Sequence, residues 1–163
     1  TGWRCANSGP LSIVLRRLDN IDVLCVDLAR MVPFYRDVLG LPFVLPYEEG
    51  QGWAGFQAGD VSIYLIEVGG EAPPLRTPGV GPAGIESFAF AVDDLDEAIA
   101  HLDAQGVTWA ADIVESAWYR YRSFYDPEGN VLHVTVPDRE AELKAALNAL
   151  VELNLVPPET AAN

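Results

Sequence analysis

One pattern occurs twice in this chain, first as Asp27-Leu28-x-x-Met31-Val32-x-x-Tyr35 and again as Asp94-Leu95-x-x-Ala98-Ile99-x-x-Leu102. Each copy follows an apolar run and precedes a glycine, Gly40 or Gly106. The copies lie about 67 residues apart, so a chain of 163 residues has room for two such units and no more. The repeat excludes a long solenoid or propeller and predicts two similar modules that share one core.

Around the first copy, module 1 (residues 18–68) is predicted to be a strand, a helix and a three-stranded meander. Apolar residues at i, i+3, i+4 and i+7 predict a helix over 28–35, which Asp27 caps and Gly40 ends. Segments rich in β-branched and aromatic residues alternate with glycine-containing turns, which favours antiparallel strands. The predicted strands are residues 21–26, 41–47, 53–57 and 61–68.

Module 2 (residues 85–136) repeats this βαβββ order, which predicts an α+β fold of two tandem modules. Its predicted helix spans 95–104, and its predicted strands are residues 87–92, 107–114, 118–125 and 131–136. Three segments lie outside the repeat: an N-terminal arm (1–17), a linker dense in glycine and proline (69–84), and a C-terminal helix with a tail (137–163).

Composition limits the classes of partner. Ten basic against 24 acidic residues give a formal charge of −14, which disfavours nucleic acid and anionic membrane surfaces and favours a cationic or neutral ligand. No apolar run approaches the length of a spanning helix, and no signal peptide is visible, so we expect a cytoplasmic protein. Cys5 and Cys25 stand in different settings and are expected to be reduced thiols.

The two modules carry motifs of a known family. Residues 34–41, Phe-Tyr-Arg-Asp-Val-Leu-Gly-Leu, and residues 126–130, Asp-Pro-Glu-Gly-Asn, resemble the vicinal oxygen chelate superfamily of glyoxalase I, extradiol dioxygenases and bleomycin-resistance proteins. The resemblance covers roughly residues 18–136. It implies paired modules whose sheets enclose a cleft, commonly in a homodimer.

The resemblance also implies where chemistry would lie. Metal-using members place ligands at the start of the first strand and on the last strand of each module. Those positions correspond here to Asn20, approximately Ile63, Ser87 and His133. Transition metals need three or four His or carboxylate ligands, and only His133 meets that need, so we expect no metal cofactor. The alternative is a displaced divalent metal site that uses Asp22, Glu67 and His133.

Other candidate residues line the expected cleft. Trp53 and Trp118 fall on strands that border it and could stack on a planar ligand, although core packing is an open alternative for either ring. Arg120 could pair with an anionic group of a ligand or with surrounding acids. His133 is the candidate catalytic residue, as an acid or base, or else a hydrogen-bonded, half-buried histidine. His101 is expected to be a solvated surface residue.

We therefore expect a metal-free protein of the bleomycin-resistance kind, a homodimer that confers antibiotic resistance by sequestering an aromatic or cationic small molecule. The alternative is an enzyme, a lyase, isomerase or dioxygenase with a displaced metal or with His133 as acid or base. A regulatory domain without catalysis is a third option. No nucleotide loop, Cys-x-x-Cys, paired-histidine helix or nucleophile elbow is present in the sequence.

Overall fold

The computed structural model describes residues 17–81, 83–115, 119–155 and 157. Module 1 contains β1 (Asn20–Cys25), α1 (Leu28–Pro33), β2 (Phe43–Leu45), β3 (Trp53–Ala58) and β4 (Val61–Glu67). Module 2 contains β5 (Ser87–Ala91), α2 (Leu95–Ala104), β6 (Thr108–Trp109), β7 (Val114–Glu115), β8 (Tyr119–Tyr125) and β9 (Val131–Pro137). The helix α3 (Arg139–Glu152) follows module 2.

Each module forms its own mixed sheet with the same strand order. Sheet 1 runs β1-β4-β3-β2, and sheet 2 runs β5-β9-β8-β6 with β7 also paired to β8. In both sheets the first strand pairs in parallel with the last, and the last two long strands form an antiparallel hairpin. The α+β fold with an internal repeat and a C-terminal helix is confirmed.

The first helix differs from its prediction in one respect. The side chain of Asp27 accepts a hydrogen bond from the N–H of Arg30, as a cap should, but α1 ends at Pro33. A π-helical turn over Phe34–Val38 follows, because Pro33 has no N–H to continue the α-helical ladder. Gly40 lies beyond it with φ of +69°, the left-handed conformation predicted to end this helical segment.

The predicted strand over 107–114 is two short strands, β6 and β7. The N–H groups of Ala110 and Ala111 both point at the carbonyl oxygen of Ser123, at 2.8 and 3.4 Å. Two consecutive donors on one acceptor mark a bulge, which interrupts the ladder along β8. The prediction of one continuous strand was therefore wrong.

Each sheet packs its helix on one face only. In module 1, Leu28 and Met31 of α1 contact Val23 and Ile63 in one buried cluster. A second cluster joins α2 to sheet 2 and contains Leu95, Leu102, Phe124, Leu132 and Val134. Phe34, Phe88 and Phe90 pack against both clusters, so the helix sides of the two modules share one core. We call the opposite side of each sheet its far face.

Two buried carboxylates join module 2 to module 1, and we call them the carboxylate latch. Glu128, 4% exposed, accepts hydrogen bonds from the N–H of Val26 at 2.9 and 2.8 Å and from the N–H of Asp27 at 2.7 Å. These donors stand just before α1, where unpaired N–H groups favour an anion. Asp126 accepts from the hydroxyl of Tyr35 at 3.2 Å.

The latch alters the titration of its neighbours. Burial raises the pKa of Asp126, although hydrogen bonds from Asn130, Glu128 and Tyr35 oppose that rise. Burial and then the charge of Asp126 raise the pKa of Tyr35 well above its usual value. Cys25 is a free, buried thiol whose pKa rises to about 12 through burial and the nearby carboxylates, led by Glu128. Such a thiol stays protonated and unreactive at neutral pH.

Two predictions from the sequence remain, one on the N-terminal arm and one on membrane-spanning helices. Most of the N-terminal arm, including Cys5, lies outside the described residues. Within the described part of the chain, no helix has both the length and the apolar character needed to cross a bilayer.

Candidate functional site

His133 is the centre of a polar cluster on the far face of sheet 2. Its Nε2 lies 2.6 Å from Oγ of Ser87 on β5, and its Nδ1 lies 2.8 Å from Oγ of Ser123 on β8. The strand register explains this cluster, because Ser123 is the direct partner of His133 and Ser87 stands two residues before its other partner, Ala89. Tyr121 meets the imidazole edge to face with ring centroids 5.0 Å apart.

The surroundings keep this imidazole neutral. Burial lowers the pKa of His133, and the charge of Glu86 opposes that shift only in part. A neutral imidazole donates from one nitrogen and accepts at the other, and the two serine hydroxyls satisfy both roles. Both nitrogens of His133 are therefore engaged, and neither is free to bind a ligand.

A groove of about 470 Å³ lies over this face, and we call it the sheet groove. Its walls come from β5, β8 and β9, from Glu86 just before β5 and from the first turn of α3. The lining residues are Glu86, Ala89, Ala91, Tyr119, Tyr121, His133, Thr135, Pro137, Arg139 and Glu142. The C-terminal helix, which belongs to neither repeat, thus contributes to the site.

Aromatic and acidic groups give the sheet groove its character. The rings of Tyr119 and Tyr121 lie side by side with centroids 5.5 Å apart. Glu86 accepts from the N–H of Gly79 and has no cationic partner among the described ion pairs, whereas Glu142 pairs with Arg139 at 2.7 Å. The groove therefore combines a π surface with a net negative charge.

The far face of sheet 1 carries different groups at the matching positions. Asn20 donates to the carboxylate of Asp22 at 2.7 Å. Asp22 pairs with Tyr64, as Ala89 pairs with His133, so Tyr64 stands where module 2 has His133. Trp53 lies on the same face, since it shares the alternation of Gly55, the partner of Tyr64.

Ile63 does not lie on that face. It is 2% exposed and belongs to the core cluster under α1, one residue out of register with the expected position. The four positions Asn20, Ile63, Ser87 and His133 were expected to meet at one cavity. Within one chain the structure places them on two far faces and in the core, and only Ser87 and His133 are brought into contact.

The remaining candidates are also accounted for. Glu67 accepts from the N–H of Leu28 at 3.2 Å, so its carboxylate faces the start of α1 and not the far face with Asp22. Arg120 pairs with Glu115 at 2.9 Å and lies 3.9 Å from Asp96, as expected for the neutralised alternative. His101 is exposed, and its Nε2 lies 2.8 Å from the carbonyl of Val38. Trp118 lies outside the described residues.

The side chains at the implied metal positions do not fit a transition metal. They offer an amide from Asn20, a phenol from Tyr64, a hydroxyl from Ser87 and an imidazole from His133 whose nitrogens are both engaged. Such neutral donors compensate poorly for dehydration of a divalent ion. Among the described residues, no group of three or more His, Cys, Asp or Glu side chains is placed to share a metal.

Two site residues escaped the sequence reasoning: Ser123 and Glu86. Ser123 could have been found, because the turn over 126–130 sets Tyr125 opposite Val131 and hence Ser123 opposite His133. In module 1, counting four residues from Gly59, as from Gly129 to His133, leads to Ile63, whereas the strand register places Tyr64 at the matching position. Glu86 lies in a segment without periodic pattern, so no sequence signal pointed to it.

Comparison with known proteins identifies relatives over most of the chain. Residues 17–134 match the family described as Glyoxalase/Bleomycin resistance protein/Dioxygenase superfamily. The uncharacterized protein YaeR of Escherichia coli (strain K12) is 32% identical over 120 residues, which are 71% of this chain and 92% of YaeR.

Solved structures share the architecture at lower identity. A glyoxalase/dioxygenase from Nostoc punctiforme aligns with a TM-score of 0.65 and 20% identity, covering 81% of this chain and 98% of that one. TnmS3, an antibiotic binding protein from Streptomyces sp. CB03234, aligns with a TM-score of 0.58 and 23% identity, covering 76% and 98%. These two likenesses establish the fold.

Proposed function

Because the chain belongs to the glyoxalase/bleomycin resistance protein/dioxygenase superfamily, we propose that it sequesters a small aromatic cation of the antibiotic type in the sheet groove, without a metal ion. One observation carries the proposal. His133, at the last-strand position of module 2, is held neutral and fully hydrogen-bonded between Ser87 and Ser123, within a groove lined by tyrosines and carboxylates.

The tyrosines favour a planar ligand. Tyr121 and His133 line the groove together, and Tyr119 extends this aromatic surface along β8. Aromatic pairs contribute about 0.5–1.5 kcal/mol beyond the area that they bury, so a ring stacked here would be retained without any covalent chemistry. The volume of the groove suits a single small molecule.

The acids favour a cation. Glu86 carries the uncompensated charge at the rim, and the whole chain has a formal charge of −14. A cationic ligand would be attracted over a distance and held by Glu86 on contact, while an anionic ligand of equal size would be repelled. The same fold serves antibiotic binding in TnmS3, as the name of that protein states, which is consistent with this use of the groove.

Binding is a better account than metal-assisted catalysis. A lyase, isomerase or dioxygenase with a displaced metal needs Asp22, Glu67 and His133 at one ion. The carboxylate of Glu67 instead accepts from the N–H of Leu28, and the other two residues lie on different sheets. Acid–base catalysis by His133 needs a nitrogen within reach of substrate, and both nitrogens contact serines.

The test compares two matched tricyclic probes. The full chain is titrated with 9-aminoacridine, a cation, and with anthracene-9-carboxylate, an anion, and binding is followed by probe fluorescence. We expect only the cation to bind, and we expect copper-free bleomycin to compete with it. Tyr121→Ala should weaken binding of 9-aminoacridine about tenfold by removing the stacking wall. Tyr64→Ala, on the far face of sheet 1, is the matched control and should leave the affinity unchanged.

Two results would contradict sequestration. One is equal binding of both tricyclic probes, or no binding of either. The other is one equivalent of a transition metal per chain, in protein purified without chelator, that is lost in His133→Ala, because that result would return the site to the metal enzymes.

A further inference from the structure

A second groove lies between the two modules, and we call it the module groove. Its volume is about 970 Å³. Apolar side chains from both modules form its walls, among them Ile21, Leu39, Leu41, Phe88, Phe90 and Leu102. Its lining and that of the sheet groove have Ala89 and Ala91 of the edge strand β5 in common, so the two grooves lie on either side of β5.

One rim of the module groove is acidic. Asp93, Asp94 and Glu97 line it at the start of α2. Asp94 is engaged as the cap of α2, accepting from the N–H of Glu97 at 3.0 Å, whereas Asp93 and Glu97 enter none of the ion pairs seen among the described residues. No Lys or Arg belongs to the lining, and its one imidazole, His101, contacts the carbonyl of Val38.

This combination of surfaces specifies the chemistry of an occupant. An apolar trough with an anionic rim on one side matches a molecule with a hydrocarbon body and a cationic head. We propose that the module groove is a second binding site, separate from the sheet groove, for a cationic amphiphile whose apolar part contacts Leu39, Leu41 and Phe90. The ammonium group lies at Asp93 and Glu97.

The charge of the chain argues for a small molecule over a second copy of the protein. With a formal charge of −14, another copy would bring net negative charge to a rim that is already negative. A small cation meets no such repulsion. It also desolvates less polar surface on entry than a polypeptide backbone would.

Calorimetric titration of the full chain with decyltrimethylammonium and with decyl sulfate, both below micelle formation, tests the proposal. The two probes share a tail and differ in the sign of the head. We expect the cation to bind about tenfold more tightly, and the difference to shrink in added salt. Asp93→Asn with Glu97→Gln should weaken binding of the cation about fivefold and leave decyl sulfate unimpaired.

Matched variants locate the site. Asp96→Asn removes a neighbouring charge of α2 that does not line the groove, so it should have no effect beyond about 1.5-fold. Ala98→Phe, which fills the groove, should abolish binding of decyltrimethylammonium while the affinity for 9-aminoacridine in the sheet groove is unchanged. That second readout separates failure here from failure of the proposed function.

Three outcomes would overturn the proposal. Equal affinity for the two decyl probes would reduce the groove to an unspecific apolar surface. Absence of binding by the full chain would show that it is closed to ligands, whether by its own residues or by a second copy. An effect of Asp96→Asn as large as that of Asp93→Asn with Glu97→Gln would assign the charge effect to α2 as a whole.

Discussion

The far faces of the two sheets have the same backbone pairing but carry different side chains at matching positions, a polar cluster on sheet 2 and an aromatic ring on sheet 1. On sheet 2, His133 pairs with Ser123 and contacts two serine hydroxyls. On sheet 1, Tyr64 pairs with Gly55, and its ring occupies the space that a side chain at Gly55 would need. Duplication thus preserved the strand register while one face became a polar cluster under a groove and the other became filled by an aromatic ring.

The turns before and within the hairpins account for a second difference. In module 1, β3 and β4 are joined by Gly59 and Asp60 alone, whereas the turn of module 2 spans residues 126–130. The longer turn reaches module 1 and places Glu128 at the start of α1. The start of α2 has the side chain of Asp94 as its cap. Module 2 therefore supports module 1 through Glu128, and among the described residues no carboxylate of module 1 makes a corresponding contact at the start of α2.

Truncation of the latch is expected to give the largest effect on stability. Glu128→Ala leaves the N–H groups of Val26 and Asp27 without their buried acceptor and should lower the free energy of unfolding by about 3 kcal/mol. Asp94→Ala, which removes the side-chain cap of α2, should lower it by about 1 kcal/mol. Urea denaturation of both variants measures the difference. Equal losses would mean that the latch adds nothing to ordinary capping.

Exchange of the residues paired with Tyr64 and His133 should have an intermediate effect on the free energy of unfolding. Gly55→Ser puts the residue of module 2 into module 1, where a Cβ atom would lie 2.7 Å from Cε1 of Tyr64, and we expect a loss of about 2 kcal/mol. Ser123→Gly removes the partner of Nδ1 of His133 and should lower stability by about 1 kcal/mol.

A double variant provides the control for this exchange. Tyr64→Ala should restore part of the stability lost in Gly55→Ser, because it removes the ring that causes the clash. Thermal unfolding of the two single variants and the double variant completes the cycle. Strictly additive losses would show that Gly55 is not required by the ring of Tyr64.

Most of the fold could be predicted because it follows from local patterns. The repeat starting at Asp27 and Asp94 gave the two helices and their caps, and alternating strands gave both sheets. The errors lie where those patterns are interrupted. The bulge opposite Ser123 divides a predicted strand, and Pro33 ends α1 before a π-helical turn.

The candidate site was harder to predict because it depends on register and on long-range contacts. A shift of one residue in a strand moves a side chain to the other face, and this shift separates Ile63 in the core from Tyr64 on the far face. Glu128 belongs to a motif that was read as a turn, yet its carboxylate acts on residues about a hundred positions earlier in the chain. No local pattern encodes a contact of that kind.

The smallest expected effect is the pH dependence of stability that arises from His133 in module 2. Because burial lowers the pKa of His133 below its usual 6.5, the unfolded chain binds the proton more readily than the folded chain. The contribution of His133 to stability is therefore complete above pH 6.5 and is lost as the pH falls below that value. Its slope stays under the ~1.4 kcal/mol per pH unit of one full proton.

Unfolding by urea between pH 7.5 and 5 checks this dependence. In His133→Gln the decline in this range should be smaller than in the parent chain, while Tyr64→Phe at the matching position of sheet 1 should leave the decline unchanged. Glu86→Gln removes the charge that favours protonated His133, so it should make the decline larger. If His133→Gln declines as steeply as the parent chain, the proton is taken up by a group other than His133.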